Sequence, residues 1–256
     1  MYNTNIAHTL YSNKLFVGAA KLYELIKLHL RPLTNREDKS KEYFPYIINA
    51  ALKGYTILDI GSHRRSYFFD LFKISKLPGK VILFENTLSV LNYMSRMRQL
   101  MNVRNLVVEP VFTAQSESNA PGSIDYKGDN FAMVIDFKAR ISKDQNESVP
   151  TETIDSYCAA KFIVPALIKL KLDKNDLHYL HGAKQILKKY KPEILIECTE
   201  GTVSRQTLMA AFDFLADLNY SGYFILDTIK VPLRSFDFNI YQNEITGYYC
   251  KNFIFQ

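Results

Sequence analysis

A chain of 256 residues with 47% hydrophobic and 23% charged residues fits one α/β domain with an added segment, or at most two small domains. It does not fit a chain disordered along its whole length. The net charge of +6 is spread along the sequence and favours anionic partners in general, but no cluster interleaves aromatic and basic residues, which argues against nucleic acid. Cys158, Cys198 and Cys250 are far apart and form no Cys-x-x-Cys pair, which argues against a zinc site and for a reducing, cytoplasmic compartment.

Residues 1–53 read as a helical segment broken by the polar stretch from Arg31-Pro32 to Ser40. Lys14, Lys21, Glu24 and Lys27 interrupt its apolar stretches, so it predicts neither a signal peptide nor a membrane span. Leu15, Ala19, Leu22, Ile26 and Leu30 would share one face of a basic helix. That face suits packing on the domain and also admits peripheral contact with a membrane. A second helix is expected from about Lys41 to Lys53, with Pro45 in its early part.

A second region, 54–256, has a different character. Tyr55 to Ile60 is a short apolar run of the kind buried on both faces of a parallel sheet. Arg65 to Leu71, extending toward Ser75, reads as helix, and Val81 to Glu85 as the next strand. Leu88, Leu91, Met94, Met97 and Met101 recur at helical spacing, and Leu106 to Phe112 reads as a third strand. Residues 113–150 break this rhythm with polar stretches around one candidate strand, Phe131 to Phe137, and suggest an insertion shaping a substrate site. Strand periodicity returns at Ala166 to Leu172. Asp176 would cap one helix running to Tyr190, with Pro192 stopping it. Glu193 to Thr199 reads as strand, and a helix from about Val203 closes near Gly222. Tyr223 to Asp227 and Lys251 to Phe255 read as two late strands forming an antiparallel hairpin, with a polar, aromatic stretch between them. Alternating strands and helices predict a mostly parallel sheet with helices on both faces.

In such sheets ligands bind beyond the carboxyl ends of the strands. Gly61 follows the first strand and opens a turn into helix, where a residue without a Cβ lets backbone approach a ligand. Glu85 follows the second strand, where a carboxylate can accept hydrogen bonds from both hydroxyls of a ribose. Asp59-x-Gly61 and Glu85 together read as a nucleoside site; each alone is an ordinary strand-end residue. His178 and His181 share a helix face, but nothing nearby completes a metal site, and they read as surface histidines.

Ile57 to Tyr67, Val81 to Asn86, Ala166 to Ala183 and Pro192-Glu193-Ile194-Leu195-Ile196-Glu197 together resemble the FkbM family of S-adenosylmethionine-dependent methyltransferases. The resemblance covers roughly residues 55–200, with Asn252 to Phe255 fitting the closing strand. It implies a Rossmann-like class I methyltransferase fold: a mostly parallel seven-stranded sheet with a C-terminal antiparallel hairpin, preceded by the helical segment. It also implies S-adenosylmethionine as cofactor and O-methylation of a small molecule or glycan. By resemblance, Asp59, Gly61, Ser62, His63 and Arg65 form the cofactor turn, with Glu85 and Asn86 on the ribose side.

The departures from the family pattern bear on chemistry. His63 stands where asparagine is usual, Arg65 where the second glycine is usual, and Asn86 where proline is usual. In the late motif Ile168 and Lys169 match, while Lys171 replaces the aspartate and Asp173 the first glutamate. Lys171 and Asp173 are the candidate catalytic pair, and Lys171 reads alternatively as a solvent-facing lysine at a strand end. A carboxylate at the first of these positions would orient an acceptor hydroxyl, whereas a lysine would hold an anionic acceptor or act as a base only if burial lowered its pKa. The alternative is a catalytically degenerate member of the fold that serves as a binding or interaction module.

Overall fold

In the computed structural model, which describes residues 42–61, 68–74, 76–85, 88–109, 112–113, 151–172, 177–198, 203–226, 228–243 and 248–256, the first element is α1 (Phe44–Leu52). Pro45 sits in its first turn, where a missing N–H costs no helical hydrogen bond. The helix buries Ile47, Ala50 and Ala51 against the sheet, and Gly54, at φ +77°, turns the chain into β1 (Thr56–Ile60). Then follow α2 (Phe68–Ile74), β2 (Lys80–Phe84), α3 (Leu88–Leu100) and β3 (Leu106–Glu109). Gly79 passes so close to α1 that a Cβ there would lie 2.6 Å from Ala51 Cα, so this crossing admits no side chain.

Beyond β3, two short strands pair in parallel apart from the main sheet, β4 (Phe112–Thr113) and β5 (Thr151–Glu152). The stretch from Leu106 to Phe112 therefore does not continue as one strand of the main sheet. A helix unforeseen in the sequence, α4 (Ile154–Ala160), begins where Thr153 Oγ1 accepts the Ser156 amide at 3.0 Å. The strand β6 (Leu167–Leu172) leads into α5 (Leu177–Gly182) and α6 (Lys184–Tyr190). The expected single helix to Tyr190 is thus two. Asp155 of α4 accepts the amides of Gln185 and Ile186 at 2.9 and 2.8 Å, and so supplies from outside the cap that starts α6. Lys191 takes a left-handed conformation at φ 50° and Pro192 follows, which ends α6.

The chain continues through β7 (Glu193–Cys198), α7 (Arg205–Asp217), β8 (Gly222–Leu226), β9 (Ile229–Pro232), a 3-10 turn (Leu233–Ser235), α8 (Phe238–Tyr241), the small antiparallel pair β10 (Gln242–Asn243) and β11 (Tyr248–Tyr249), and β12 (Asn252–Phe255). Ser204, accepting the Thr207 amide, caps α7.

The main sheet runs β3-β2-β1-β6-β7-β12-β8-β9. The first five strands are mutually parallel, and β12 lies antiparallel between β7 and β8. This is the strand order of the Rossmann-like class I methyltransferase fold, with the late hairpin in place. One strand is added: β9 pairs antiparallel outside β8, so the sheet has eight strands where seven were expected. Its short, half-exposed span ends at Pro232, as suits an edge.

Both faces of the sheet are covered. Leu58, Ile60, Ile82, Phe84, Leu170 and Ile196 belong to one core, and their neighbours Ile57, Val81, Leu83, Leu167, Leu195 and Ile254 to the other. That alternation explains why the central strands read as continuous apolar runs. The expectations for Leu15 to Leu30, for Phe131 to Phe137 and for Asp176 lie outside the described residues.

Candidate active site

The chain order reverses between β1 and β6, because β2 and β3 lie on one side of β1 and everything after β5 in the main sheet lies on the other. In an open α/β sheet the ligand crevice opens beyond the carboxyl ends of the strands at such a point. Gly61 ends β1 there, at φ +80°, and its amide reaches the Phe84 carbonyl at 3.5 Å. Glu85 ends β2, is 1% exposed, and is tied through its amide to the Glu109 carbonyl at 3.2 Å. Lys171, half-buried, lies near the end of β6, in register with Glu197 of β7. Three of the expected site residues, Gly61, Glu85 and Lys171, are therefore gathered at one edge of three adjacent strands, and Asp59 lies within β1 two residues before that edge. Ser62, His63, Arg65, Asn86 and Asp173 lie outside the described residues.

A buried charge network lies beneath this edge. Lys169 Nζ is 3.5 Å from Asp59 Oδ1 and 3.1 Å from Glu197 Oε2, so it bridges β1, β6 and β7 across the reversal point. Its side chain is 1% exposed, and its ammonium lies 5.2 Å from the centre of the Tyr43 ring. Burial alone would push the lysine pKa down; the carboxylates of Asp59 and Glu197 outweigh burial and hold it above the ordinary lysine value. Burial also raises the Tyr43 hydroxyl pKa, keeping it a neutral phenol. Asn252 on β12, in register with Glu197, donates to Glu42 Oε2 at 3.3 Å and extends the polar layer. Asp59 thus serves as an anchor within the sheet, two residues before the glycine that faces the crevice.

A second polar cluster stands at the end of β3. Glu109 Oε1 accepts the Tyr157 hydroxyl and the Lys161 ammonium, each at 2.9 Å. The Tyr157 ring packs edge-on against Phe84, centroids 4.8 Å apart. Burial, then the Glu109 carboxylate, raises the Tyr157 pKa, so the hydroxyl remains a donor. Two adjacent strands consequently end in buried carboxylates, Glu85 and Glu109, and the second is held by Tyr157 of α4 and by Lys161 just after it. Sequence reading missed Lys169 as a bridge and missed the Glu109 cluster. The signal for Lys169 was present: a lysine in the apolar run Leu167 to Leu172, flanked by acids on the neighbouring strands.

Solved structures with similar folds include the FkbM methyltransferase from Methylobacillus flagellatus KT, with 12% identity over 79% of this chain and 43% of that one, TM-score 0.49. They also include an O-methyltransferase from Bacillus cereus in complex with SAH, with 12% identity over 92% and 89%, TM-score 0.44. A third is an rRNA methylase from Streptococcus thermophilus, with 12% identity over 87% and 96%, TM-score 0.41. These similar structures are methyltransferases. No protein-family model matches the chain, and no curated protein does. The chain spans 43% of the length of the FkbM structure. Its own strand order, rather than these superpositions, carries the assignment of the fold.

Among the described residues no set of three or more His, Cys, Asp or Glu side chains could hold a metal ion. His178 packs on Tyr179 at 4.2 Å and His181 edge-on to Phe214 at 4.6 Å, so both are half-buried ring contacts rather than bare surface residues. All three cysteines are free and buried. Burial pushes the Cys158 and Cys250 thiols up to about 12 and raises Cys198 as well. The native protein is therefore expected to resist a thiol-specific disulfide reagent at pH 8, and to react at all three cysteines once unfolded in urea. Rapid labelling of the folded protein would contradict this burial.

Proposed function

We propose that this chain is an S-adenosylmethionine-dependent methyltransferase that methylates an oxygen of a small-molecule or glycan acceptor. The observation that carries the reading is the pairing of Gly61, in left-handed conformation at the end of β1, with Glu85 at the end of the adjacent β2, on the binding edge of a methyltransferase-type sheet. These residues fit the cofactor chemically. Gly61 offers backbone without a Cβ, and Glu85 offers two acceptor oxygens to a ribose diol. By the family resemblance, Ser62, His63 and Arg65 would border the methionine end, the Arg65 guanidinium pairing with its carboxylate or filling the pocket, and Asn86 would continue the ribose side.

The cofactor would supply a methyl group already activated on sulfonium. The protein's part is then to align an acceptor oxygen and exclude water. Lys171, near the end of β6, and Asp173, two positions on in the sequence, are assigned to the acceptor. Lys171, as an ammonium, holds an anionic group of the acceptor, and Asp173 takes the proton of the acceptor hydroxyl. A second reading, a binding module that keeps the nucleoside site without turnover, is favoured by Lys171 standing where the family carries an aspartate.

Calorimetric titration with S-adenosylhomocysteine tests the first step. Saturable one-to-one binding is expected. A well-folded protein that takes up no heat overturns the proposal. Binding without methyl transfer to any of a panel of hydroxylated acceptors is the result the second reading expects.

A further inference from the structure

We infer that the amino-terminal edge of the sheet, opposite the crevice, is a docking surface for an anionic lipid bilayer. This goes beyond the proposed reaction and does not depend on it. The loops that feed β1, β6 and β7 lie side by side at this edge. The Ala166 amide donates to the Thr56 carbonyl at 3.0 Å, and the Glu193 amide to the Ala166 carbonyl at 2.9 Å. Neighbouring strands are about 5 Å apart, so the three loops form one continuous rim.

Of the large hydrophobic side chains exposed among the described residues, five fall in or beside these loops: Leu52 at 57%, Tyr55 at 45%, Phe162 at 94%, Val164 at 52% and Tyr190 at 40%. Scattered apolar residues need no explanation, but a concentration at one edge marks a contact surface. Phe162 is the strongest sign. It occupies the position just past the end of α4 with φ +54°, the left-handed region where glycine or asparagine is usual. Neither its backbone nor core packing calls for phenylalanine there.

The charge at this edge selects the partner. Lys53, Lys80 and Lys189 are exposed around the apolar residues. Lys53 lies 5.9 Å from the Tyr55 ring centre, and Lys189 lies 4.8 Å from that of Tyr190. The loops feeding β1, β2, β3, β6 and β7 contain no carboxylate. The acids that flank these loops in the chain are engaged within the fold, Asp59 with Lys169, Asp155 with the Gln185 and Ile186 amides and Glu193 with Gln256, while Glu109 pairs with Lys161 beside Phe162. Aromatic and aliphatic tips that can enter a headgroup region, among lysines that remain at the phosphate level, suit a bilayer carrying net negative charge. Docked by this rim, the molecule would hold the carboxyl edge and its crevice toward water.

The chain contains no tryptophan, so F162W provides a single fluorescent reporter at the tip of the rim. With vesicles of phosphatidylcholine containing about 30% phosphatidylserine, its emission is expected to shift to the blue and to be quenched by lipids brominated on the acyl chain. With phosphatidylcholine alone no shift is expected. The triple variant K53Q/K80Q/K189Q of wild type should lose about a hundredfold in partitioning to the anionic vesicles by co-sedimentation. No shift with either vesicle overturns the proposal, as does an equal shift with both. A concentration-dependent dimer in sedimentation equilibrium that F162D abolishes also overturns it, because the patch would then belong to a second copy of the chain.

Discussion

Lys169→Met is expected to destabilise the fold by about 3–5 kcal/mol, read as a lowered urea midpoint with the slope unchanged. The ammonium faces Glu197 at 3.1 Å and Asp59 at 3.5 Å, with its side chain 1% exposed. Removing it leaves two carboxylates buried without their shared cation, which costs far more than the lost attraction itself. Against a typical stability of about 5–15 kcal/mol, a loss of this size leaves a substantial unfolded fraction near body temperature. The deficit should shrink on acidification, because one bound proton removes the repulsion between the carboxylates. Adding Glu197→Gln to the methionine variant should restore part of the loss, since it removes one of the two stranded charges. A double-mutant cycle over these positions measures the coupling. A deficit below about 1 kcal/mol would mean that the three strands hold together without the bridge.

The same lysine fixes the sign of the alkaline response. Its folded pKa is raised above the unfolded value of 10.5, so its contribution is complete below that pH. The contribution is lost as pH rises from there through the folded value. Wild type should therefore weaken on the alkaline side more steeply than Lys169→Arg, whose guanidinium keeps its charge there.

The sequence made the fold legible where one physical signal dominated. Continuous apolar runs at Thr56–Ile60, Lys80–Phe84 and Glu193–Cys198 are strands because both faces of a parallel sheet are covered. The Leu-Ile-Lys-Leu-Lys-Leu strand was placed correctly, but its alternation was open to the wrong reason. Period two usually marks a solvent face, whereas here Lys169 is buried and only Lys171 approaches the surface. What distinguishes the two lysines is their neighbours on β1 and β7, which no local pattern contains. Long-range partners explain the other differences too. Asp155 splits the helix before Tyr190 from a position thirty residues earlier in the chain. Strand β9 exists because β8 offers it an edge, in a stretch whose composition favoured neither strand nor helix. Of the site, strand-end residues such as Gly61 and Glu85 could be placed by position alone. The Glu109 cluster could not, because its partners Tyr157 and Lys161 come from a helix with no strong periodic signal.

Glu85→Gln is expected to weaken S-adenosylhomocysteine binding by about tenfold to a hundredfold, the value of one or two hydrogen bonds to a charged acceptor. The carboxylate can accept from both ribose hydroxyls, whereas the amide has one acceptor oxygen and presents a donor on the other side. Weaker binding alone would not separate a ligand contact from a disturbed loop, because Glu85 is 1% exposed and any change there perturbs packing. The 2′-deoxy analogue of the ligand makes that separation. If Glu85 holds the 2′-hydroxyl, wild type binds the analogue less tightly than the parent, and Glu85→Gln binds the two nearly alike. The losses then fail to add, and the difference is the coupling between carboxylate and hydroxyl. If Glu85 acts only by packing, the substitution and the missing hydroxyl weaken binding independently and their effects multiply. Additive free energies would remove Glu85 from the ribose and leave the Gly61 turn as the feature on which the nucleoside site rests.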